Sequence, residues 1–211
     1  INDWKNGWKM NVFGDYLHKT DCSRGNIREW ESDDAETSMD YHRKADGDLF
    51  AAKFSLSYES EKAGTFSLGY DFSHTSGTDY IEYIRALNNG RTRNTELKNS
   101  LYLSYDYAWN NLSLGAGLRY EHIRSDLRET NDSKSQNQTY HNFLPSVSLS
   151  YNTESLQKSL PYSIHTERPP FGVMNDNAVY TDRFTYQKGN LYLKQALTHD
   201  LNYMLFYKFL F

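Results

Sequence analysis

The strongest constraint in this sequence is a period of two. Phe50, Ala52, Phe54, Leu56 and Tyr58 alternate with Ala51, Lys53, Ser55 and Ser57, so an extended segment would carry one apolar face and one small or polar face. The pattern recurs at Phe66, Leu68, Tyr70 and Phe72, and again at Leu101, Leu103, Tyr105 and Tyr107. Further runs are Leu112, Leu114, Ala116, Leu118 and Tyr120, then Phe143, Val147, Leu149 and Tyr151, then Leu156, Leu160, Tyr162 and Ile164. A closing run holds Leu201, Tyr203, Leu205, Tyr207, Phe209 and Phe211, and a weaker opening one Trp8, Met10, Val12 and Tyr16. Together they predict an all-β, antiparallel chain of about eight strands, read as a single domain over residues 1–211.

The connections alternate in length. Those at Ser60 to Gly64, Ala108 to Asn111 and Asn152 to Ser155 are hairpin-sized, whereas Lys19 to Asp48, Thr75 to Glu96, Ser125 to Asn142 and Thr166 to Thr198 are long and polar. In an up-and-down sheet, alternate turns fall at opposite ends. One rim then has tight turns and the other long loops, the layout of a transmembrane β-barrel with short periplasmic turns and long extracellular loops.

Composition decides which way the apolar faces point. Aromatic residues make up 16% of the 211, with 18 Tyr and 11 Phe, yet only 38% of residues are hydrophobic and the mean hydropathy is -0.82. A water-soluble sandwich or ligand-binding barrel would have to fit that aromatic bulk inside and expose faces of Ser and Gly with few charges. Turned outward, the aromatic and aliphatic residues meet lipid and the small polar ones line a watery lumen. Tyr58, Tyr70, Phe72, Tyr105, Tyr107, Tyr120, Tyr151 and Tyr162 lie at or near strand ends, as interfacial girdles do, and Trp109 beside a tight turn fits the same role. The bilayer is therefore an expected partner and the bacterial outer membrane the expected location.

Other classes find little support. A net charge of -4 gives no basic footprint for nucleic acid. Cys22 is the only cysteine, so no intrachain disulfide forms. No Gly-rich phosphate loop, nucleophile elbow or paired-Cys motif occurs. His122 and His141 flank one long loop and His165 and His199 another, without close metal-ligand spacing, and Asp126, Glu129 and Asp132 share a loop with Arg124 and Arg128 as a mixed-charge surface. No catalytic residue, metal ligand or cofactor is expected, and the chain is not read as an enzyme. On the presumed lumen face Lys53, Asp71, Asp106, Arg119 and Glu121 stand out among small residues, either lining a solute path or pairing across strands. Tyr80, Tyr83, Arg85 and Arg91 are candidate ligand contacts in a loop.

Several phrases from Leu97 onward carry a family resemblance. Gly117, Leu118, Arg119, Tyr120 and Glu121 form one; Phe143, Leu144, Pro145 and Ser146 open the next strand; Arg168 and Pro169, then Tyr180, Asp182, Tyr186, Gly189, Asn190, Leu193, Thr198 and His199 follow. In order and spacing they resemble the barrel domain of TonB-dependent receptor-like outer-membrane proteins of Bacteroidota. Departures fall in the last connection: Met174, Asn175 and Asp176 replace a common Leu, Asn, Pro, Leu191 stands where Pro often follows Gly189 and Asn190, and Gln195 and Ala196 replace the usual Pro and Glu. The loop conformation is therefore not carried over.

The resemblance implies energy-coupled nutrient uptake through a plugged barrel of about 22 strands, with TonB and a plug domain as partners and a surface lipoprotein as another candidate. Neither plug nor TonB-contacting segment is found in these residues, so a segment of a larger receptor barrel is expected. The alternative is a small complete eight-stranded barrel acting as a structural or adhesive surface protein, which requires the strand at Trp8 to pair with that at Leu201.

Overall fold

The computed structural model describes residues 2–4, 7–30, 36–84, 89–129, 135–175, 177–182 and 184–208. Its strands are β1 (Asn2–Trp4), β2 (Trp8–Trp30), β3 (Glu36–Ser60), β4 (Gly64–Ile84), β5 (Gly90–Trp109), β6 (Leu112–Glu129), β7 (Ser135–Asn152) and β8 (Leu156–Glu167). A one-turn helix α1 (Phe171–Met174) and the small hairpin of β9 (Val179–Tyr180) and β10 (Tyr186–Gln187) follow, then β11 (Ala196–Leu201) and β12 (Met204–Tyr207). The main sheet runs in sequence order, β1 to β8 and then β11, every pair antiparallel.

β11 and β12 are one strand with a gap. Both pair with β8, and the register continues unchanged from Leu201 opposite Tyr162 to Met204 opposite Ser159. Pro161 sits at the interruption; it has no N–H to donate, but its carbonyl still accepts from the Asn202 amide at 3.1 Å. Phe209 and Phe211 lie outside the described residues. The sheet is open: β2 and β11 are not neighbours, so the pairing of Trp8 with Leu201 that a closed eight-stranded barrel requires is not made.

The tight turns fall where alternation places them. Asn110 takes a left-handed φ of 50° between β5 and β6, and Gly64 one of 82° at the start of β4, conformations that Asn and Gly adopt at low cost. The long connections differ from expectation in form. Lys19 to Asp48, Thr75 to Glu96 and Ser125 to Asn142 are mostly paired ribbon, because β2 to β7 continue well past the apolar runs. The 25 residues of β3 span about 80 Å at about 3.3 Å each, against about 25 Å for a lipid-facing band. Above that band both faces of β2 and β3 are wet, so no period-two signal marks their ribbon and side-chain pairs hold it instead, whereas on β4 to β6 the inward face is buried at Ile81, Ile123 and Leu127. Tyr16 donates to Asp48 at 2.7 Å, Thr20 to Asp46 at 2.8 Å, and Asn26 to Asp40 at 2.5 Å.

The two faces differ as the sequence predicts. Residues such as Val12, Phe54, Leu68, Leu103, Leu118, Val147, Leu160 and Leu201 share one face, and all are exposed, from 38% for Phe54 to 72% for Val12. Aromatic pairs close this belt at both ends: Trp8 with Tyr58 and Phe66 with Tyr105 near the tight turns, Phe50 with Phe72 and Tyr120 with Phe143 at the other side. Such an exposed apolar surface would aggregate in water. The polar face holds what core there is.

Candidate functional site

Cross-strand register brings four of the five singled-out polar residues to one place. Lys53 lies opposite Asp71, Asp71 opposite Ser100, and Ser100 opposite Glu121, with Arg119 two residues away on the same face. Glu121 is only 3% exposed. A buried carboxylate needs dense compensation, and it accepts from Lys98 at 2.7 Å, Arg119 at 2.9 Å, and Ser100 and Thr166 at 3.4 Å. Arg119 also reaches Asp71 at 2.9 Å, while Lys53 stands 4.0 Å from the other Asp71 oxygen. The cluster thus sets three cations against two carboxylates. Asp106 is exposed near the tight-turn rim, opposite Gly115, and does not join it.

Tyr102 organises the middle of this site. It lies opposite Gly69, where a side-chain carbon would stand 2.1 Å from the tyrosine ring, so only glycine leaves room for the ring to lie across the strand. That placement puts Lys53 and Arg119 within 5.5 and 5.9 Å of the ring centre, a cation–π range. Lys98 escaped the sequence reading, although it shares parity with Ser100 and Tyr102. Extending the third run three residues upstream would have found it.

The long connection after β8 folds back onto the same face. Met174 and Leu191 pack with Leu127 into a small apolar core, with Leu193 against it. Around it, Thr92 donates to Asn175 at 2.8 Å, Asn175 to Asp79 at 2.5 Å, and Arg43 grips Asp79 through two bonds of 3.0 and 2.6 Å. That contact raises the Arg43 pKa, the Asp79 hydrogen bond being the main cause. Asn142 and Gln195 exchange amide hydrogen bonds of 3.3 and 2.6 Å. Gly189 lets its backbone lie on Asn175, donating to the Asn175 carbonyl at 2.9 Å, where a side chain would collide with that oxygen. Asn190 donates to the Val173 carbonyl at 3.0 Å, and Arg168 pairs with Glu96. Met174, Leu191 and Gln195, which depart from the family pattern, are thus among the residues that tie this segment to the sheet, together with Asn175, which keeps the family's Asn. Asp176 lies outside the described residues.

The loop candidates are dispersed. Tyr83 is 6% exposed and pinned under the folded-back segment, donating to the Ala178 carbonyl at 2.8 Å and accepting from the Tyr180 amide at 3.1 Å. Burial pushes its pKa up. Tyr80 and Arg91 face each other on the opposite side of the ribbon, and Arg85 lies outside the described residues.

The histidines divide similarly. The rings of His122 and His141 meet at 4.9 Å on the apolar side, His141 bonding Tyr120 at 2.7 Å. His165 pairs with Asp200 at 3.0 Å on the polar face, while His199 bonds Tyr162 at 2.9 Å on the apolar one. Of the remaining motif residues, Gly117 abuts Ser146, Pro145 lies opposite Leu118, Thr198 opposite His165, and Pro169 borders the folded-back segment. Among the described residues, no group of three His, Cys, Asp or Glu side chains is placed to hold a metal ion.

A fixed charge array beside an anchored segment suits solvating a polar path or docking a polar surface, with the hydrophobic face left to lipid. A family model described as the outer membrane protein beta-barrel family matches residues 4–211. Among solved structures, the chain is similar to the ferric citrate transporter FecA in its unliganded form, with 16% identity and a TM-score of 0.64. The match covers 76% of this chain and 25% of that one, so the chain corresponds to about a quarter of that transporter, and at this identity the likeness concerns the fold alone. No curated protein matches.

Proposed function

The chain belongs to the outer membrane protein beta-barrel family, and from that premise we propose that it forms part of the wall of a plugged barrel for energy-coupled nutrient uptake, without enzymatic activity of its own. The observation that carries the reading is the Lys53, Asp71, Lys98, Arg119 and Glu121 array on the polar face. In a wall of lipid-facing and lumen-facing sides, charges on the lumen side contact solute or the plug. The transporter barrel of similar fold and the sequence resemblance to TonB-dependent receptors support the same role. TonB and a plug domain are the proposed partners, with a surface lipoprotein proposed at the long-ribbon rim.

The test uses accessibility in living cells. Cys22 is exposed and unpaired, so it is first replaced by Ser, and a cysteine is then placed at Lys53 in the protein expressed in its own outer membrane. Labelling by a membrane-impermeant maleimide is expected to change when the proton-motive force is collapsed, because an energised plug alternately covers and uncovers the array. Labelling at the same rate with and without the uncoupler would overturn energy coupling.

A further inference from the structure

The chain carries 7 histidines, and three are held singly by an oxygen. His18 bonds Asp48 at 2.8 Å, His165 bonds Asp200 at 3.0 Å and His199 bonds Tyr162 at 2.9 Å. His122 and His141 instead meet each other. Their distance in sequence hides the pair, because they sit on the two arms of the β6–β7 hairpin and face each other directly in its register. Side chains so placed start about 4.5–5.5 Å apart at Cβ. Here the ring centres lie 4.9 Å apart with the planes tilted by 34°. Among the described residues no other two histidine rings make such a contact.

That separation suits a shared ion. Imidazole nitrogens bind a transition metal at about 2.0–2.1 Å, which puts each ring centre about 3.2 Å from the ion and the two centres about 4.6–5.3 Å apart for angles from square to tetrahedral. One ring is already oriented. His141 Nδ1 lies 2.7 Å from the Tyr120 hydroxyl, and a hydroxyl accepts as readily as it donates. An Nδ1–H donated to Tyr120 leaves Nε2 as the ligand and gives the ring the outer hydrogen-bond partner that metal-bound histidines use. His122 is half-buried and makes no hydrogen bond with a described residue, so no partner holds its ring away from the same point. Asn99 flanks His122 on the other side, its side-chain oxygen accepting from Tyr70 at 2.6 Å. The next cation up β6 on this face, Arg124, shares a separate groove with Asp126.

We propose that His122 and His141 chelate one divalent transition-metal ion of the Cu²⁺ or Zn²⁺ class, linking β6 to β7 where their hairpin leaves the belt. Among the described residues no third His, Cys, Asp or Glu joins them, so the protein supplies two neutral nitrogens and water completes the shell. Such a donor set selects against Ca²⁺ and Mg²⁺, hard cations that need oxygen ligands. In the usual order of affinities it holds Cu²⁺ most tightly. The pair lies two residues beyond Tyr120 and Phe143, at the edge of the belt, where water reaches the rings. This face turns away from the lumen, so the ion is a link between strands and not a solute in passage, and the site does not depend on the transport reading.

The experiment titrates Cu²⁺ into the protein extracted from its own outer membrane in mild detergent, with the exposed Cys22 replaced by Ser because thiols capture copper. Nitrogen couplings in the electron paramagnetic resonance spectrum count the ligands. One ion held by two imidazole nitrogens is expected in the parent and is expected to be lost in H122Q/H141Q; the difference between the two cancels copper bound elsewhere. Y120F deletes only the outer partner of His141, so it should keep both nitrogens and weaken binding about tenfold. H199Q, which removes another tyrosine-bonded histidine of the same face, should change nothing. Should the double variant fail to fold, the parent alone decides, because Cu²⁺ must shield His122 and His141 together from diethyl pyrocarbonate, read by peptide mass spectrometry. An unchanged ion count in H122Q/H141Q, a single nitrogen on the ion, or shielding of only one of the two rings would each overturn the proposal, and full affinity in Y120F would overturn the role given to Tyr120.

Discussion

The belt and the ribbons above it are continuous strands under opposite rules. Leu103 and Thr78 are both on the outward face, Leu103 in the belt opposite Leu68 and Leu118, Thr78 in the ribbon opposite Asp46 and Arg93. Below, the medium on one side is hydrocarbon, so each outward residue answers to a bulk solvent and the sequence shows a period. Above, on β2 and β3, water wets both faces and each residue answers to its cross-strand neighbour, so the sequence shows pairs without a period. On β4 to β6 the outward face alone is wet and the inward one is buried at Ile81, Ile123 and Leu127. Substitutions should therefore be judged by the surrounding medium in the belt and by the partner in the ribbon.

The sharpest way to break that distinction is to put the same charge in both places. Leu103→Arg is expected to lower stability by about 2–4 kcal/mol, the cost of a cation near the middle of a lipid-facing strand. Thr78→Arg should change it by no more than about 0.5 kcal/mol, because the new cation gains from Asp46 on one side about what it loses to Arg93 on the other. Denaturant titration of the protein refolded in lipid vesicles measures both. Similar losses at the two sites would mean that the ribbon, too, lies against hydrocarbon, and the proposed height of the belt would have to be abandoned.

A smaller effect tests the polar face. Gly69→Ala inserts a carbon where the Tyr102 ring lies, and moving that ring also removes it from Lys53 and Arg119. The expected loss is about 1–3 kcal/mol, typical of overpacking. Gly14→Ala is the matched control, because its nearest non-neighbouring atom is the Ala51 carbonyl oxygen at 4.0 Å. If the two substitutions cost the same in the same vesicle titration, Gly69 is an ordinary strand glycine and the Tyr102 platform has no energetic role.

How much could be read in advance follows from the same contrast. The belt strands, their facing and their tight turns were legible because lipid imposes one rule on every second residue, and Lys53, Asp71, Arg119 and Glu121 were legible as exceptions on the other face. The ribbon of Asn26 with Asp40 or Thr20 with Asp46 was not, since two polar residues opposite each other look like loop until the register is known. The folded-back segment was hidden for another reason. Its Asn175 and Gln195 contact Thr92 and Asn142 across more than 50 positions of chain, and nothing local in a run of Asn, Tyr and Thr marks such distant partners.

Tyr83 links that segment to the ribbon, and its burial is expected to make the link sensitive to alkaline pH. Its hydroxyl donates to the Ala178 carbonyl and accepts from the Tyr180 amide, and burial raises its pKa above the ordinary value near 10. A raised folded-state pKa means that the folded form holds the proton more tightly. The contribution is fully present below the unfolded value and is lost as pH climbs through the folded one. Limited proteolysis of the segment around Ala178, followed alongside phenolate absorbance, should therefore accelerate above about pH 10 while the belt stays folded. Tyr83→Phe removes the donor at a cost of about 0.5–1.5 kcal/mol and is expected to raise cleavage at neutral pH, with less further rise in alkali. Cleavage that climbs with pH equally in the Phe variant would show that the segment is held by the Asn175 and Asp79 network alone, with Tyr83 a bystander.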